Sequence, residues 1–127
     1  MTARYPLILQ EPARIIRVDD LEIDPNRRLV TRGGEVVRLT RTEWLLLRYL
    51  VANAGKVLVN VELLSKVWGP EYRDDLQYLR VWVSRLRRKL EVDPAHPKLI
   101  KTKQGIGYLL DAQPELVSAP SATAVAS

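Results

Sequence analysis

The fourteen residues from Gln77 to Leu90 constrain the fold more than any other stretch of the chain. Leu79, Val83, Leu86 and Leu90 recur at steps of four, three and four, which places them on one narrow arc of an α-helix. A helix of this length gains most of its stability from burying such an arc, so the rest of the chain must supply a core for it. The opposite arc carries Gln77, Val81, Ser84, Arg85 and Arg88, with Tyr78, Arg80, Trp82 and Arg87 on its flanks. Five residues of the segment are basic and none is acidic, so it alone matches the net charge of +5 of the whole 127-residue chain. Solvated helix faces usually interleave acids with bases for i,i+4 pairing. An acid-free face points instead to an anionic partner.

The remaining sequence divides into sheet, helices and hairpin. Four short strands are predicted at 15–18, 21–24, 28–31 and 35–39, punctuated by Asp19-Asp20, Pro25-Asn26 and Gly33-Gly34. A small antiparallel sheet of this kind needs cover on one face. Thr40-Arg41-Thr42-Glu43 reads as a capping box opening a helix whose Trp44, Leu47, Leu50 and Val51 share a face, with Gly55 as its left-handed stop. A second helix starts near Asn60 as N-cap, carries Leu63, Leu64 and Val67, and ends at Trp68-Gly69-Pro70. Asp74 or Asp75 caps the third helix, which runs over about 75–90. Leu99–Lys101 and Tyr108–Leu110 then flank a tight return that Gly105 and Gly107 permit. The expected division is a flexible linker over 1–13, one folded domain over 14–110 and a disordered Ala-, Ser- and Pro-rich tail over 111–127.

Composition removes several classes of chemistry. Without cysteine there are no disulfides, iron–sulfur clusters or thiolate zinc sites. The single histidine, His96, lies between Ala95 and Pro97 and reads as a solvated turn residue, so no catalytic or metal residue is assigned and no cofactor is expected. Gly105-Ile106-Gly107 lacks the third glycine and the following helix of a dinucleotide site, and Asp19-Asp20 reads as a turn. Trp44 and Trp68 read as core or groove-lining residues. No apolar run approaches the roughly 20 residues needed to cross a membrane, and the chain is read as soluble and cytoplasmic.

What remains is nucleic-acid chemistry. Phosphate binding requires only positive charge, whereas reading base edges in a major groove also requires bidentate donors and small apolar contacts. The outer arc of the third helix offers both. The hairpin adds Lys98, Lys101 and Lys103, with no acid from Lys98 to Leu110. A helix for one groove beside a basic hairpin for the next is a winged-helix arrangement.

Arg38-Leu39-Thr40, Trp68-Gly69-Pro70, Tyr78-Leu79-Arg80, the run Arg85 to Glu91 and Gly105-Ile106-Gly107-Tyr108 occur in this order and at a spacing that resembles the C-terminal effector domain of OmpR/PhoB-type response regulators. The resemblance covers about 14–110 and, within the family, is nearest to regulators of potassium-transporter genes. It implies an α+β fold, a winged helix-turn-helix with an N-terminal four-stranded antiparallel sheet, three helices and a C-terminal β-hairpin wing. It implies that the third helix enters the major groove and the wing, 99–110, the minor groove. Carried over by position, Arg85 reads bases, with Gln77, Tyr78, Arg80, Val81 and Ser84 near bases or phosphates, and Arg88 joins the candidate contacts as part of the same outward basic face. Trp82, Arg87 and Trp68 meet the backbone, and Thr102, Lys103, Gln104 and Tyr108 belong to the wing, where Lys101 is a further candidate contact by its charge. Gly69, Pro70, Glu71, Tyr72 and Arg73 match the segment that contacts RNA polymerase. Gln104 stands where several members carry a wing-tip arginine, and Leu109 where arginine commonly follows the wing tyrosine.

Family regulators also carry a receiver domain, phosphorylated by a sensor kinase, ahead of this one. Thirteen residues precede the expected domain here, so the chain reads as an excised domain or as a protein without its own phosphorylation switch. The expected partner is double-stranded DNA with tandem half-sites, bound by a domain that is monomeric off DNA. The competing reading is a winged-helix docking module for a protein such as RNA polymerase, with incidental DNA affinity. A docking surface would be more apolar and aromatic at its centre than the outer arc of the third helix.

Overall fold

The computed structural model describes residues 13–117. Strands β1 (Ala13–Val18), β2 (Leu21–Asp24), β3 (Leu29–Arg32) and β4 (Glu35–Val36) form an antiparallel meander. The helices α1 (Arg41–Ala52), α2 (Asn60–Val67) and α3 (Leu76–Leu90) follow, with β5 (Leu58–Val59) between the first two and a 3-10 turn (Pro70–Tyr72) between the last two. The strands β6 (Ile100–Lys103) and β7 (Gly107–Leu110) make the terminal hairpin, and β8 (Pro114–Val117) closes the described chain.

The sheet has five strands rather than four, in the order β4-β3-β2-β1-β8. The tail expected to be disordered from residue 111 instead supplies β8, which pairs antiparallel with β1 in the register Ile15↔Glu115 and Ile16↔Pro114. The physical reason is the edge of β1, whose free N–H and C=O groups are a template for another strand. Pro114 stands at the first position of β8, where a missing donor is tolerated, and Arg17 holds the Glu115 carboxylate across the pair. Residues 1–12 and 118–127 lie outside the described residues, and so do the expectations that fall on them.

Helix ends follow local chemistry in one case and tertiary contacts in the others. Thr40 accepts from the Glu43 amide, and the Thr40 amide donates to the Glu43 carboxylate, so the capping box is complete. Asn60 is not the cap of α2. Val59 holds that position without a side-chain bond, and the Asn60 amide donates to Ile106 O in the hairpin turn. Asp75 does cap α3 by position, but its side chain makes no cap bond. Helix α1 closes on Asn53, and Gly55, at φ +85°, donates to Leu110 O rather than ending the helix.

One core joins both sheets and all three helices. The stripe Leu79, Val83, Leu86 and Leu90 is at most 2% exposed and packs with Leu46, Leu47, Leu63 and Leu64. Each such side chain contributes about 1.5–3 kcal/mol. Glu43 is also buried, and its carboxylate receives Lys89 Nζ at 2.6 Å, tying the start of α1 to the end of α3. Burial alone would raise the Glu43 pKa, but the Lys89 ammonium and the Thr40 donors outweigh it and hold the carboxyl below its usual 4.5. A depressed folded-state pKa contributes stability that is complete above 4.5 and is lost as pH falls through the folded value. Urea midpoints measured from pH 7 to 3 should therefore fall below pH 4.5 more steeply for the wild type than for Glu43→Gln, and parallel curves would remove this role.

Candidate nucleic-acid interface

The outer face of α3 is built as the periodicity requires. Gln77, Arg80, Val81, Ser84, Arg85 and Arg88 are exposed and together line a shallow depression of about 420 Å³. A second depression of about 370 Å³ separates α3 from the wing and is lined by Arg80, Arg87, Thr102, Lys103, Gln104 and Tyr108 among others. Arg80 borders both, so the helix face and the wing form one continuous surface.

The basic side chains of this region divide into two sets. Arg87 turns inward: its Nε and Nη2 donate to Ile100 O at 3.0 and 2.7 Å, and Nη2 donates to Thr102 Oγ1 at 2.8 Å. Its guanidinium carbon also lies 5.7 Å from the Tyr108 ring centroid. Burial pulls this guanidinium below its usual pKa, yet arginine starts so high that it stays charged. Lys101 pairs with Asp111 at 2.6 Å, and Lys89 belongs to the Glu43 contact. Arg85, Arg88 and Lys103 are exposed, and among the described residues none of them is ion-paired. Arg80 is exposed too, with only a long 3.5 Å bond to the Gln77 amide oxygen.

Arg85 does not extend straight outward. Its guanidinium lies 4.8 Å from the centroid of Trp82. Release from a half-buried ring of this kind costs about 1 kcal/mol, at the low end of the roughly 1–3 kcal/mol of discrimination that a bidentate guanine contact supplies. Trp82 in turn meets Tyr78 edge-on at 6.4 Å, and Tyr78 touches Trp68 at 5.2 Å and Tyr72 at 5.4 Å. This aromatic row ties the turn Pro70–Tyr72 to α3. It also takes up Trp68, whose indole N–H is buried without a hydrogen-bond partner and so is not presented to a phosphate as expected. Gly69 adopts φ +124° ahead of the turn, while Glu71 and Arg73 are exposed.

The wing is fixed at both ends. At its tip the Ile106 amide donates to Lys103 O, with Gly105 at φ +75° and Gln104 exposed beside it. Gly107 lies so close to β5 that a Cβ there would sit 1.8 Å from Leu58 O. At its base the buried Glu91 carboxylate accepts from the amides of Lys98, Leu99 and Ile100 at 2.7–3.1 Å. Sequence reading missed Glu91, since an acid just after a helix carries no local signal of a loop returning to it. It also missed Ile106, 53% exposed on the turn, and Asn60, which lines the helix–wing depression.

No group of three or more His, Cys, Asp or Glu among the described residues could hold a metal ion, and no described helix is long and apolar enough to cross a membrane.

Known proteins share this arrangement. The family described as "Transcriptional regulatory protein, C terminal" matches residues 34–110. The transcriptional regulatory protein KdpE of Mycobacterium tuberculosis is 44% identical over 104 residues, covering 82% of this chain and 45% of that protein. The KDP operon regulator KdpE of Escherichia coli is 44% identical over 97 residues, covering 76% of this chain and 43% of its own length. The chain thus spans less than half the length of these relatives. Among solved structures, the RstA DNA-binding domain of Klebsiella pneumoniae, in complex with the RstA box, matches with a TM-score of 0.67 and 35% identity, covering 76% of this chain and 96% of that one. The DNA-binding domain of CpxR from Escherichia coli matches with a TM-score of 0.63 and 31% identity, covering 78% and 98%.

If Arg87 acts mainly as a clamp, Arg87→Lys keeps the charge but loses the fork, and should cost about 1–2 kcal/mol of stability. Amide exchange in β6 should quicken while exchange in β2 stays unchanged. Equal effects on both strands would contradict a local clamp.

Proposed function

We propose, since this chain belongs to the family of OmpR/PhoB-type C-terminal domains of transcriptional regulatory proteins, that it binds double-stranded DNA sequence-specifically and so controls transcription. The observation that carries the reading is the acid-free outer face of α3, where guanidinium, amide, hydroxyl and small apolar groups stand together beside a basic wing. Helix α3 lies in the major groove. Arg85 leaves Trp82 for a guanine edge, Gln77, Val81 and Ser84 meet neighbouring bases, and Arg80 and Arg88 meet phosphates. The wing reaches the adjacent minor groove with Lys103 and Gln104, and Lys101 and Thr102 stay near its phosphates. Tyr78, Trp82 and Tyr108 support these contacts, and Arg87 acts chiefly through the wing it holds.

In a longer regulator, a receiver domain phosphorylated by a sensor kinase brings two copies onto tandem half-sites about one helical turn apart. The isolated domain is monomeric off DNA and works in the cytoplasm. Its 3-10 turn, with Glu71, Tyr72 and Arg73, faces RNA polymerase when DNA is bound. The identity with both KdpE proteins supports potassium-transporter genes as targets. Binding, rather than catalysis, is the activity.

With about five phosphates engaged, log K should fall with log salt at a slope of roughly −5 on a duplex selected from a random pool, and a slope near zero excludes nucleic-acid binding. Arg85→Lys should cost roughly 1–3 kcal/mol on the selected site and relax one base position while leaving scrambled DNA almost unaffected. Lys103→Ala should weaken both duplexes alike and reduce the slope by about one. Equal loss on both duplexes for Arg85→Lys would reassign that residue to phosphate.

A further inference from the structure

A second concentration of positive charge lies away from α3 and the wing. A groove of about 740 Å³ runs between β3–β4 and the outer side of α1. Arg28, Arg38, Arg41 and Arg48 stand along it, all exposed, and no carboxylate is among its lining residues. Among the described residues none of the four is ion-paired. Glu35 of β4 is exposed nearby in sequence but does not line the groove. Four like charges gathered along one concavity repel each other and raise the local concentration of anions. The groove is also apolar between them: Val36 is 60% exposed, and Leu45 and the ring of Trp44 complete the surface.

These two properties select among anions. A nucleic-acid backbone would use the arginines and leave the apolar strip without a partner. A polypeptide bearing carboxylates with interleaved apolar side chains satisfies both, because each guanidinium can hold a carboxylate through two parallel hydrogen bonds. The groove shares no lining residue with the α3 face or with the helix–wing depression, so it stays open when those surfaces are covered. One of its sides is β4, two residues long and one of the two edges of the five-stranded sheet, where an extended segment can lie. Its wall is also coupled to the recognition helix, since Lys89 at the end of α3 donates to Arg38 O.

We propose that this groove is a docking surface for an acidic segment of a partner protein with interleaved apolar residues, held by Arg28, Arg38, Arg41 and Arg48 while α3 and the wing remain free for DNA. The probe is a short fluorescein-labelled peptide of alternating Glu and Leu, followed by anisotropy, with a peptide of alternating Glu and Ser as its charge-matched control. The Glu/Leu peptide should bind more tightly than the Glu/Ser peptide, and saturating selected duplex should not displace it. Arg41→Glu with Arg48→Glu should weaken it by at least about tenfold while leaving affinity for the duplex within a factor of about two. Lys56→Glu with Lys66→Glu makes the same change in net charge on exposed residues outside the groove and should leave peptide affinity nearly unchanged. Equal loss in the two double variants, equal affinity for the two peptides, or displacement by DNA would each overturn the proposal. Loss of duplex affinity in the groove variant would assign the groove to DNA instead. Matching thermal midpoints for the two double variants exclude unfolding as the cause.

Discussion

The wing depends on one buried carboxylate. Glu91 follows the last residue of α3, and its two oxygens gather the amides of Lys98, Leu99 and Ile100. Those amides lead into β6 and the last of them opens it, so the same contact ends the helix and starts the hairpin. A charge-assisted hydrogen bond of this kind contributes roughly 1.5–3 kcal/mol, and a buried amide left without a partner costs about 1–3 kcal/mol. The carboxylate therefore fixes the angle between α3 and the wing more firmly than apolar packing alone, which is not directional. Arg87 repeats the link one turn earlier, reaching Ile100 O and Thr102 Oγ1. Arg32 holds the other side, spanning from Asp20 to Leu90 O, so the N-terminal sheet braces the same end of α3.

Preorganisation of this kind explains why the cations of α3 and the wing cannot be treated as equivalent. The sequence offers Arg80, Arg85, Arg87, Arg88, Lys89, Lys101 and Lys103 as one basic region. In the fold, Arg87 and Lys89 have become parts of the frame, and Lys101 shares its charge with Asp111. Among the described residues Arg85, Arg88 and Lys103 remain without a carboxylate partner, and Arg80 has only the Gln77 amide. Arg87 still adds to the long-range field that attracts an anion, because a hydrogen bond to a carbonyl does not neutralise charge, whereas the charge of Lys89 is offset by the Glu43 carboxylate. Their short-range donors, however, are already used. Long-range attraction and short-range donation therefore fall to overlapping but different sets of residues.

Patterns carried by neighbouring residues were legible before the structure. The α3 stripe, the capping box at Thr40, the β1–β3 meander and the glycine-bearing hairpin all rest on contacts within a few positions, and each is present. Features set by distant partners were not. Asn60 has the chemistry of a cap, but its amide is claimed by Ile106, forty-six positions away, and the helix begins one residue earlier than that chemistry suggests. Pro114–Val117 has the composition of a tail and becomes a strand because β1 offers an open edge. Trp68 lies at a position that implied a phosphate contact, yet the Tyr78 ring lies against it and its N–H is enclosed. Among the candidate site residues, those on the outer arc of α3 stand where the periodicity put them, since exposure on a helix is a local property.

The aromatic row shows how local and distant effects combine. Tyr78 and Trp82 are four residues apart on α3 and meet by helix geometry alone. Trp68 and Tyr72 join them only because Gly69 adopts φ +124°, which lets the chain leave α2 and fold the turn back over Tyr78. A Cβ at Gly69 would lie 2.9 Å from the Glu71 carboxylate and in a backbone region that L residues seldom adopt. The turn is thus anchored to α3 by its one tyrosine, with Glu71 and Arg73 left exposed on either side. Displacing Arg85 from Trp82 would remove a charge from one end of this row, while the turn occupies the other. Trp82–Tyr78 and Tyr78–Trp68 meet edge to face and Tyr72–Tyr78 at a tilt of 31°, so an unbroken run of packed rings joins the outer side of α3 to the turn.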